Sequence, residues 1–295
     1  GLYVKAIWPD CKLISYAEWW FNPQSELYTY DDKNIDLCMN QKTSLELWSR
    51  NQKLALELAT ADIIISPTEW QRKQLPEIIR SRTTVVFDGI NIEKFRFKGF
   101  KRSNKPLITY GTRGMEPIRA FKQFIIEIPD ILRIDENICI EIAGYDEMNY
   151  GGNLPKGHKS WGRWAKVFLE NEKIGDRVKW LGYLPEDKYC KWLKSSWCHV
   201  YLTHPFVLSW SFLEAYISGC PLVCSNVEPV LEFAKEYCIL VDHRKKGNIS
   251  KGVKMVLDDP HRWSKAGLRN ANGMSKEIAL SKFLDVTGLE LTTNS

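Results

Sequence analysis

The chain has 295 residues, enough for two domains of ordinary size, and 44% of them are hydrophobic, as in globular proteins. The net charge of +5 is mild and the lysines and arginines are scattered, so we expect no nucleic-acid partner. A small polyanionic ligand or an acidic membrane surface stays compatible with this charge. The eight cysteines form no close pairs, which favours buried, reduced thiols of a cytoplasmic protein over a zinc site.

The first part of the chain alternates segments of helix type and strand type. Residues 42–60 carry apolar side chains at helical spacing and predict a helix, while the apolar runs 62–66 and 83–87 predict buried strands. Between these two strands, Thr68 is the candidate N-cap of a further helix.

A basic and polar segment at 96–106 interrupts this alternation and indicates a linker between domains. We therefore expect a first domain over 1–97, a linker over 98–106 and a second domain over 107–272. We expect a C-terminal helix over residues 273–295, and we expect it to pack back on the first domain.

The second domain repeats a strand-then-helix pattern. Apolar strands alternate with amphipathic helices, which predicts a parallel, doubly wound sheet of Rossmann-like type. The fold class expected for the whole chain is therefore α/β. The predicted strands of this domain are 107–110, 138–144, 177–182, 198–202, 222–224 and 237–241.

Ligands of such sheets bind beyond the carboxyl ends of the strands, and this rule selects four loops of the second domain. These loops are Gly111–Arg119, Gly144–Asp146, Gly182–Leu184 and Phe206–Glu214. They line one cleft if the sheet has the expected strand order.

The first of these loops carries the features of a phosphate site. Gly111 and Gly114 permit close approach of the backbone to a ligand, and Pro117 suits the first turn of a helix, whose free N–H groups bind anions. Arg113 and Arg119 are then candidates to clamp a pyrophosphate through their guanidinium groups. The alternative is a pair of ordinary surface arginines beside a tight turn.

The segment 195–227 is apolar and contains one formal charge, Glu214, which indicates a carboxylate that needs a ligand or partners. Ser209 is the candidate N-cap of the helix that carries it, and the amides of Ser209 and Trp210 offer a second phosphate contact. The alternative is a capping box, in which the helix begins at Ser211 and Glu214 reaches back to the Ser211 amide.

Together these motifs resemble the retaining glycosyltransferases of family 4, which have the GT-B fold of two Rossmann-like domains. SPTEWQRKQLP followed by VVFDGINIEKF resembles the end of the family's N-terminal domain, and TYGTRGMEPIRAF resembles its phosphate-binding segment. VKWLGYLPEDKYCKWLKSS resembles the part that contacts the nucleobase, and PFVLSWSFLEAYISGCPLVCSNVEPVLEF resembles the E-x7-E region. The TRGMEP and HPFVLSWSFLEA motifs are similar to those of a bacterial subgroup of this family.

The resemblance implies a role for each candidate residue. Arg113 and Arg119 would bind and stabilise the leaving diphosphate as catalytic residues, and Glu214 would bind the ribose of the donor. Glu18, which follows a strand of the first domain, would face the cleft and contact donor sugar or acceptor; the alternative is a surface glutamate. The further donor-binding residues that the resemblance implies are Gly111, Gly144, Tyr183, Leu184, Leu208, Ser209 and Trp210.

Two features depart from the family pattern. Phe206 stands where E-x7-E has its first glutamate, which puts the usual donor-sugar contacts in question. The first domain is also short for this fold. We therefore expect an incomplete, truncated N-terminal sheet, whose open strand edge pairs with another chain in a homo-oligomer.

The activity that the resemblance implies is transfer of a sugar from a UDP- or GDP-linked donor to a glycan or lipid-linked acceptor. Retention of configuration and independence of metals or other cofactors are part of this expectation. The expected location is the cytoplasm, including peripheral contact with the inner face of the membrane. Two alternatives stay open: a non-catalytic nucleotide-sugar-binding or assembly module, and a sugar-nucleotide epimerase. No GxGxxG follows a strand, which argues against a dehydrogenase.

Overall fold

The structure is a computed structural model that describes residues 1, 3–96, 102–234, 238–264 and 271–291. Within these ranges, in chain order, the strands are β1 (Ile14–Tyr16), β2 (Ile63–Ser66), β3 (Thr83–Val85), β4 (Leu107–Gly114), β5 (Cys139–Tyr145), β6 (Val178–Gly182), β7 (Cys198–Tyr201), β8 (Leu222–Ser225) and β9 (Ile239–Val241). The helices are α1 (Val4–Ile7), α2 (Glu26–Thr29), α3 (Gln41–Thr60), α4 (Glu69–Lys73), α5 (Glu77–Arg80), α6 (Ile92–Phe95), α7 (Phe121–Leu132), α8 (Trp161–Asn171), α9 (Glu186–Ser195), α10 (Trp210–Ser218), α11 (Glu228–Leu231), α12 (Asn248–Asp258), α13 (Pro260–Ser264) and α14 (Lys276–Thr287).

The described residues form two compact units by their contacts. The first unit is made of the described parts of Gly1–Thr29, Met39–Asn91 and Asn272–Ser295. The second is made of those of Tyr30–Cys38 and Ile92–Ala271.

The division between the units differs in detail from the predicted domains. The first unit ends its main segment at Asn91, whereas the sequence predicts a boundary at residue 97. Residues 98–101 of the predicted linker lie outside the described residues.

The segment Tyr30–Cys38 falls within the predicted first domain but belongs to the second unit. The carboxylate of Asp36 forms an ion pair of 2.6 Å with Lys122, and the Asn153 amide donates to the Asp36 carbonyl at 2.7 Å. Arg244 donates to the backbone carbonyl of Tyr30 at 2.6 Å. These partners lie far away in sequence, so local patterns do not show them.

A parallel three-stranded sheet in the order β1–β2–β3 forms the centre of the first unit. Its central strand β2 is a short run of branched apolar residues, and buried Ile64 and Leu58 form the core with Trp20. The N-cap predicted at Thr68 is confirmed, because its side chain accepts a hydrogen bond from the Gln71 amide at 3.0 Å.

The turn after β3 contacts the start of α14 within the first unit. The Ile90 amide donates to the Met274 carbonyl at 2.8 Å. Gly89 has a φ of +75°, and a Cβ there would lie 2.7 Å from the Cα of Lys276. Glycine is therefore required for this close approach.

A parallel six-stranded sheet in the order β6–β5–β4–β7–β8–β9 forms the second unit. This is the doubly wound Rossmann order, whose direction of winding reverses between β4 and β7. The helix α7 is buried along its apolar face, which includes Phe124, Ile128 and Ile131. The predicted α/β class with parallel sheets is confirmed.

The backbone after β4 differs from the prediction. The strand continues to Gly114, with a shift of register after Gly111, because it goes on pairing with β5. A short 3₁₀ helix, Pro117–Arg119, replaces the predicted helix start. Ala120 then takes a left-handed conformation with a φ of 47°, and α7 begins at Phe121.

Candidate functional site

A cavity of about 380 Å³ opens at the carboxyl ends of β4, β5 and β6, beside the first turns of α10. Its volume is that of a small-molecule site, and it lies at the sheet edge where doubly wound folds bind ligands. All four loops that the sequence selects contribute to it. The cavity is lined by Gly111, Thr112, Arg113, Ala143, Gly144, Tyr145, Tyr183, Leu184, Tyr189, Ser209, Ser211 and Glu214.

Gly144 lines this cavity where β5 lies closest to β4. Its φ is +129°, and a Cβ at this position would lie 1.8 Å from the carbonyl oxygen of Thr112. Any other residue would push β4 and β5 apart, so glycine is required at this position of the cavity wall.

Arg113 supplies the positive charge of the cavity. It extends from the last residues of β4, and its side chain is exposed. Among the described residues no carboxylate forms an ion pair or hydrogen bond with its guanidinium group. An exposed guanidinium at the carboxyl edge of the sheet is suited to bind a phosphate oxygen.

Glu214 supplies the negative charge. It lies in α10, is half-buried, and makes no hydrogen bond through its side chain within the described part of the chain. Burial raises the pKa of its carboxyl to about 7, and the charge of Glu186 adds to the rise. A carboxylate held in this state gains from a ligand that donates hydrogen bonds to it.

The start of α10 decides between the two readings of Glu214. Ser209 is the N-cap, and its hydroxyl accepts from the Ser211 amide at 3.3 Å, so the helix begins at Trp210. The capping-box alternative is therefore wrong, because it needs a helix that begins at Ser211. Glu214 is left to line the cavity.

Leu208 and Trp210 flank Ser209 but are not among the residues that line the cavity. Leu208 is buried, whereas the Trp210 side chain is 56% exposed. The Ser209 amide donates to the Tyr201 hydroxyl at 3.1 Å, so this amide already has a partner.

Arg119 is not brought into the cavity beside Arg113. Its guanidinium is buried and donates to the Tyr201 hydroxyl at 3.2 Å, the Thr203 hydroxyl at 3.0 Å and the Val207 carbonyl at 3.4 Å. The structure therefore does not form the predicted clamp of two arginines in this cavity. Ala120, which follows Arg119, has a left-handed conformation and turns the chain there. The preceding strand β4 is also longer than predicted.

The aromatic rings of Phe206 and Tyr150 lie against the guanidinium of Arg119. The two rings lie 5.0 Å apart between centroids, and the guanidinium carbon lies 5.5 Å from the centroid of Phe206 and 5.4 Å from that of Tyr150. Cation–π contacts of this kind stabilise a buried cation. The departure from E-x7-E at Phe206 thus contributes to an arginine–aromatic cluster.

Glu116 is a buried residue that the sequence did not single out. Its carboxylate accepts from the amides of Asn149 and Tyr150 at 3.0 Å and 2.8 Å, which holds Tyr150 against Arg119. Burial raises the pKa of Glu116, and these two hydrogen bonds oppose that rise. Its place next to Pro117, directly after a strand, is the signal that could have identified it.

Tyr145 is a second residue that sequence reasoning missed. Its ring stacks on that of Tyr183, with centroids 5.5 Å apart and planes inclined by 10°. Both rings line the cavity, and their exposed fractions are 45% and 61%. A tyrosine directly after Gly144, at the end of a strand, was the available signal.

Glu18 lies in the first unit, two residues beyond β1, and its side chain is exposed. Its carbonyl accepts a hydrogen bond from the Gln71 side chain. The role that the resemblance implies for Glu18 stays a prediction.

The described ranges contain neither a cluster of metal ligands nor a membrane-spanning helix. No group of three or more His, Cys, Asp or Glu side chains there is placed to hold a metal ion. None of the helices there is long and apolar enough to cross a bilayer.

The doubly wound sheet with an open cavity beside its switch point defines a nucleotide-binding type of α/β protein. Residues 91–270, more than half of the chain, match the family model "Glycosyl transferases group 1", and residues 1–95 match "Glycosyl transferase family 4 group". The chain belongs to the glycosyl transferases group 1. A sequence search of curated proteins gives no match.

Solved structures show the same fold at low sequence identity. Sucrose-phosphate synthase from Thermosynechococcus elongatus has a TM-score of 0.69 and 14% identity, over 95% of this chain and 69% of that one. HepE from Anabaena, in complex with UDP and glucose, has a TM-score of 0.69 and 13% identity, over 99% and 74%. A TarM variant from S. aureus, in complex with fondaparinux, alpha-GlcNAc-glycerol and UDP, has a TM-score of 0.63 and 16% identity, over 81% and 47%. The GT-B type of fold is thereby confirmed.

Proposed function

We propose that this chain transfers a sugar from a nucleotide-sugar donor to an acceptor hydroxyl, and that the cavity of the second unit holds the donor. One observation carries the proposal: Arg113 and Glu214 line one cavity at the switch-point edge. The Arg113 guanidinium has no ion partner within the described part of the chain, and the Glu214 carboxyl has a pKa of about 7. A nucleotide sugar matches both, because its diphosphate is anionic and its ribose hydroxyls donate hydrogen bonds.

A uridine diphosphate sugar is our first candidate donor. The HepE and TarM structures contain UDP, and a GDP-linked sugar is the second candidate. We propose that the nucleobase stacks on the ring pair of Tyr145 and Tyr183. A base stacked on an aromatic side chain gains roughly 1–3 kcal/mol, and both rings are solvent-exposed without a ligand.

In the proposed reaction the bond between the anomeric carbon and the diphosphate oxygen breaks, and the electron pair leaves with the nucleoside diphosphate. The acceptor hydroxyl oxygen bonds to the same face of the anomeric carbon, and its proton passes to a diphosphate oxygen. Arg113 stabilises the negative charge that grows on the leaving group. Retention, independence of metals and a glycan or lipid-linked acceptor belong to this proposal.

A non-catalytic nucleotide-binding module is the second candidate. It is favoured by the buried position of Arg119, which leaves Arg113 as the one arginine that lines the described cavity. With a single cation, stabilisation of a leaving diphosphate is weaker than with two. This module would bind the nucleotide and leave the donor sugar in place.

Calorimetric titration of the chain with UDP, GDP and ADP tests the donor site. Arg113→Ala should weaken binding of the preferred nucleotide roughly tenfold to a hundredfold, because a charged hydrogen bond is lost. The matched control is Arg163→Ala, which removes an exposed arginine of α8 that does not line the cavity. Equal affinities of the two variants would contradict the proposed site.

Turnover separates the candidate functions. Incubation with UDP-glucose, with and without acceptor sugars, should release UDP and form a glycoside if the chain is a transferase. Tight nucleotide binding without release of UDP would favour the binding module. Conversion of the donor to another sugar nucleotide without acceptor would indicate an epimerase.

A further inference from the structure

A further cavity of about 420 Å³ lies in the second unit, between the last turns of α8 and the edge strand β6. Its lining extends from Lys166 on α8 to Trp180 on β6, and none of its residues lines the proposed donor cavity. The volume is that of a small-molecule site. The proposed function leaves this cavity without a role.

The surroundings of this cavity are strongly basic. Residues 156–180 contain seven lysines and arginines but only three aspartates and glutamates, so most of the chain's net charge of +5 lies in this stretch. Lys166 and Lys173 line the cavity with exposed side chains, and neither makes an ion pair within the part of the chain that the structure describes. The two ammonium groups are therefore available to an anionic ligand.

Lys173 has a backbone conformation that glycine adopts more readily. Its φ is 59°, and it directly follows the last residue of the α8 end, Glu172. The Lys173 amide donates to the Glu170 carbonyl at 3.0 Å, and the Ile174 amide donates to the Leu169 carbonyl at 3.0 Å, which is the Schellman motif. Glycine is the usual residue here because it has no Cβ, so a lysine strains the backbone. Such strain beside a cavity indicates that the side chain has a function.

Apolar surface and two carboxylates complete the walls. Trp180 is half-buried, and the ammonium of Lys166 lies 5.3 Å from the centroid of its ring. Leu169 is buried and adds apolar surface. Glu170 and Asp176 add exposed carboxylates, which accept hydrogen bonds but donate none.

The chemistry of these walls narrows the class of ligand. A simple inorganic anion would gain from the two lysines but would also meet the two carboxylates, and a cation would have the reverse conflict. An apolar ligand would strip water from all four charges without replacing its hydrogen bonds. The ligand that fits carries an anionic group, several hydroxyl donors and an apolar face. A sugar ring with an acidic substituent has all three.

We propose that this cavity binds an acidic saccharide, a sugar ring that carries a carboxylate, sulfate or phosphate. The acidic group binds to Lys166 and Lys173, and hydroxyls donate to Glu170 and Asp176. A C–H face of the sugar packs on Trp180. The site uses no residue of the donor cavity, so this inference is independent of the proposed function.

The test is calorimetric titration of the full chain with pairs of sugars that differ only in the acidic group. Methyl glucuronide is compared with methyl glucoside, and the 6-sulfate and 6-phosphate of glucose are compared with glucose. We expect one of the acidic sugars to bind, and its neutral counterpart to bind roughly tenfold more weakly. Lys166→Ala should weaken binding of the acidic sugar roughly tenfold, because one charged hydrogen bond is lost.

Lys173→Gly separates binding from folding. This variant removes the ammonium group and relieves the left-handed strain of the backbone. It should weaken binding of the acidic sugar roughly tenfold and also raise the urea concentration at the midpoint of unfolding. Loss of binding by a variant that is more stable than the wild type cannot come from unfolding.

Two further variants assign the binding to this cavity. Lys251→Ala removes an exposed lysine of α12 that lines neither cavity, and it should leave the affinity for the acidic sugar unchanged. Arg113→Ala tests whether the sugar occupies the donor cavity instead, and a tenfold loss in this variant would overturn the inference. Binding of no acidic sugar would also overturn it, as would equal affinity for acidic and neutral sugars or equal loss in Lys166→Ala and Lys251→Ala.

Discussion

Glu214 should make nucleotide binding depend on pH around neutrality. Its carboxyl has a pKa of about 7 in the free protein, and it accepts ribose hydrogen bonds best when ionised. With this pKa the ionised fraction falls from about 0.9 at pH 8 to about 0.1 at pH 6, which is roughly tenfold in affinity or 1.4 kcal/mol. Affinity should therefore decrease as the pH falls through 7.

The assay is calorimetric titration with UDP at pH 8, 7 and 6 for the wild type and Glu214→Gln. UDP phosphates also titrate in this range. The informative quantity is therefore the wild-type affinity divided by the Glu214→Gln affinity at each pH. We expect this ratio to fall roughly tenfold between pH 8 and pH 6, because the glutamine amide does not titrate. A ratio that is constant with pH would refute the reasoning.

Stability of the ligand-free protein checks the pKa independently of the ligand. The folded pKa of about 7 lies above the ordinary value of 4.5, so the protonated carboxyl stabilises the fold below pH 4.5, and this contribution is lost as the pH rises to about 7. Glu214→Gln should therefore gain free energy of unfolding over the wild type across this range, on the order of 3 kcal/mol, because one pKa unit corresponds to about 1.4 kcal/mol. Parallel stability profiles of the two proteins would place the pKa at its ordinary value.

Two further predictions concern stability. Ala120→Gly should be nearly neutral, because relief of the left-handed backbone, about 1–2 kcal/mol, offsets the lost methyl group and the added chain entropy. Ala165→Gly, at a buried position of the regular helix α8, should cost about 2 kcal/mol in urea unfolding, and equal costs at the two sites would contradict this account. Burial lowers the pKa of His199 to about 3 and that of His243 to about 4, and that of His204 well below its usual value, with the charges of His243 and Arg244 adding to the last shift. The histidines therefore do not lower the free energy of unfolding above pH 6.5, and below pH 6.5 each of them lowers it by up to about 1.4 kcal/mol per pH unit. Denaturant titrations from pH 7.5 to 4.5 measure this loss. An unchanged free energy of unfolding between pH 6.5 and 5 would disprove the prediction.

Much of the fold and part of the site could be predicted from local patterns. The alternation of apolar strands and amphipathic helices predicts a parallel doubly wound sheet, whose crossovers have one hand and whose loops gather at one edge. The four predicted loops therefore contribute to one cavity, and Glu214 could be singled out because a lone charge in an apolar segment needs a partner or ligand. The N-cap at Ser209 follows from side-chain chemistry and is also confirmed.

The sequence by itself thus determined the class of fold, the edge of the sheet that carries the site and the residues whose chemistry depends on their immediate neighbours. Only the tertiary structure decided that Arg119 is buried against Phe206, that Tyr145 stacks on Tyr183, and that Tyr30–Cys38 joins the second unit. The physical reason is that each of these outcomes depends on contacts between residues far apart in the chain. Periodicity and local propensity report which face of an element is buried, whereas the partner of a side chain is set by how the elements pack.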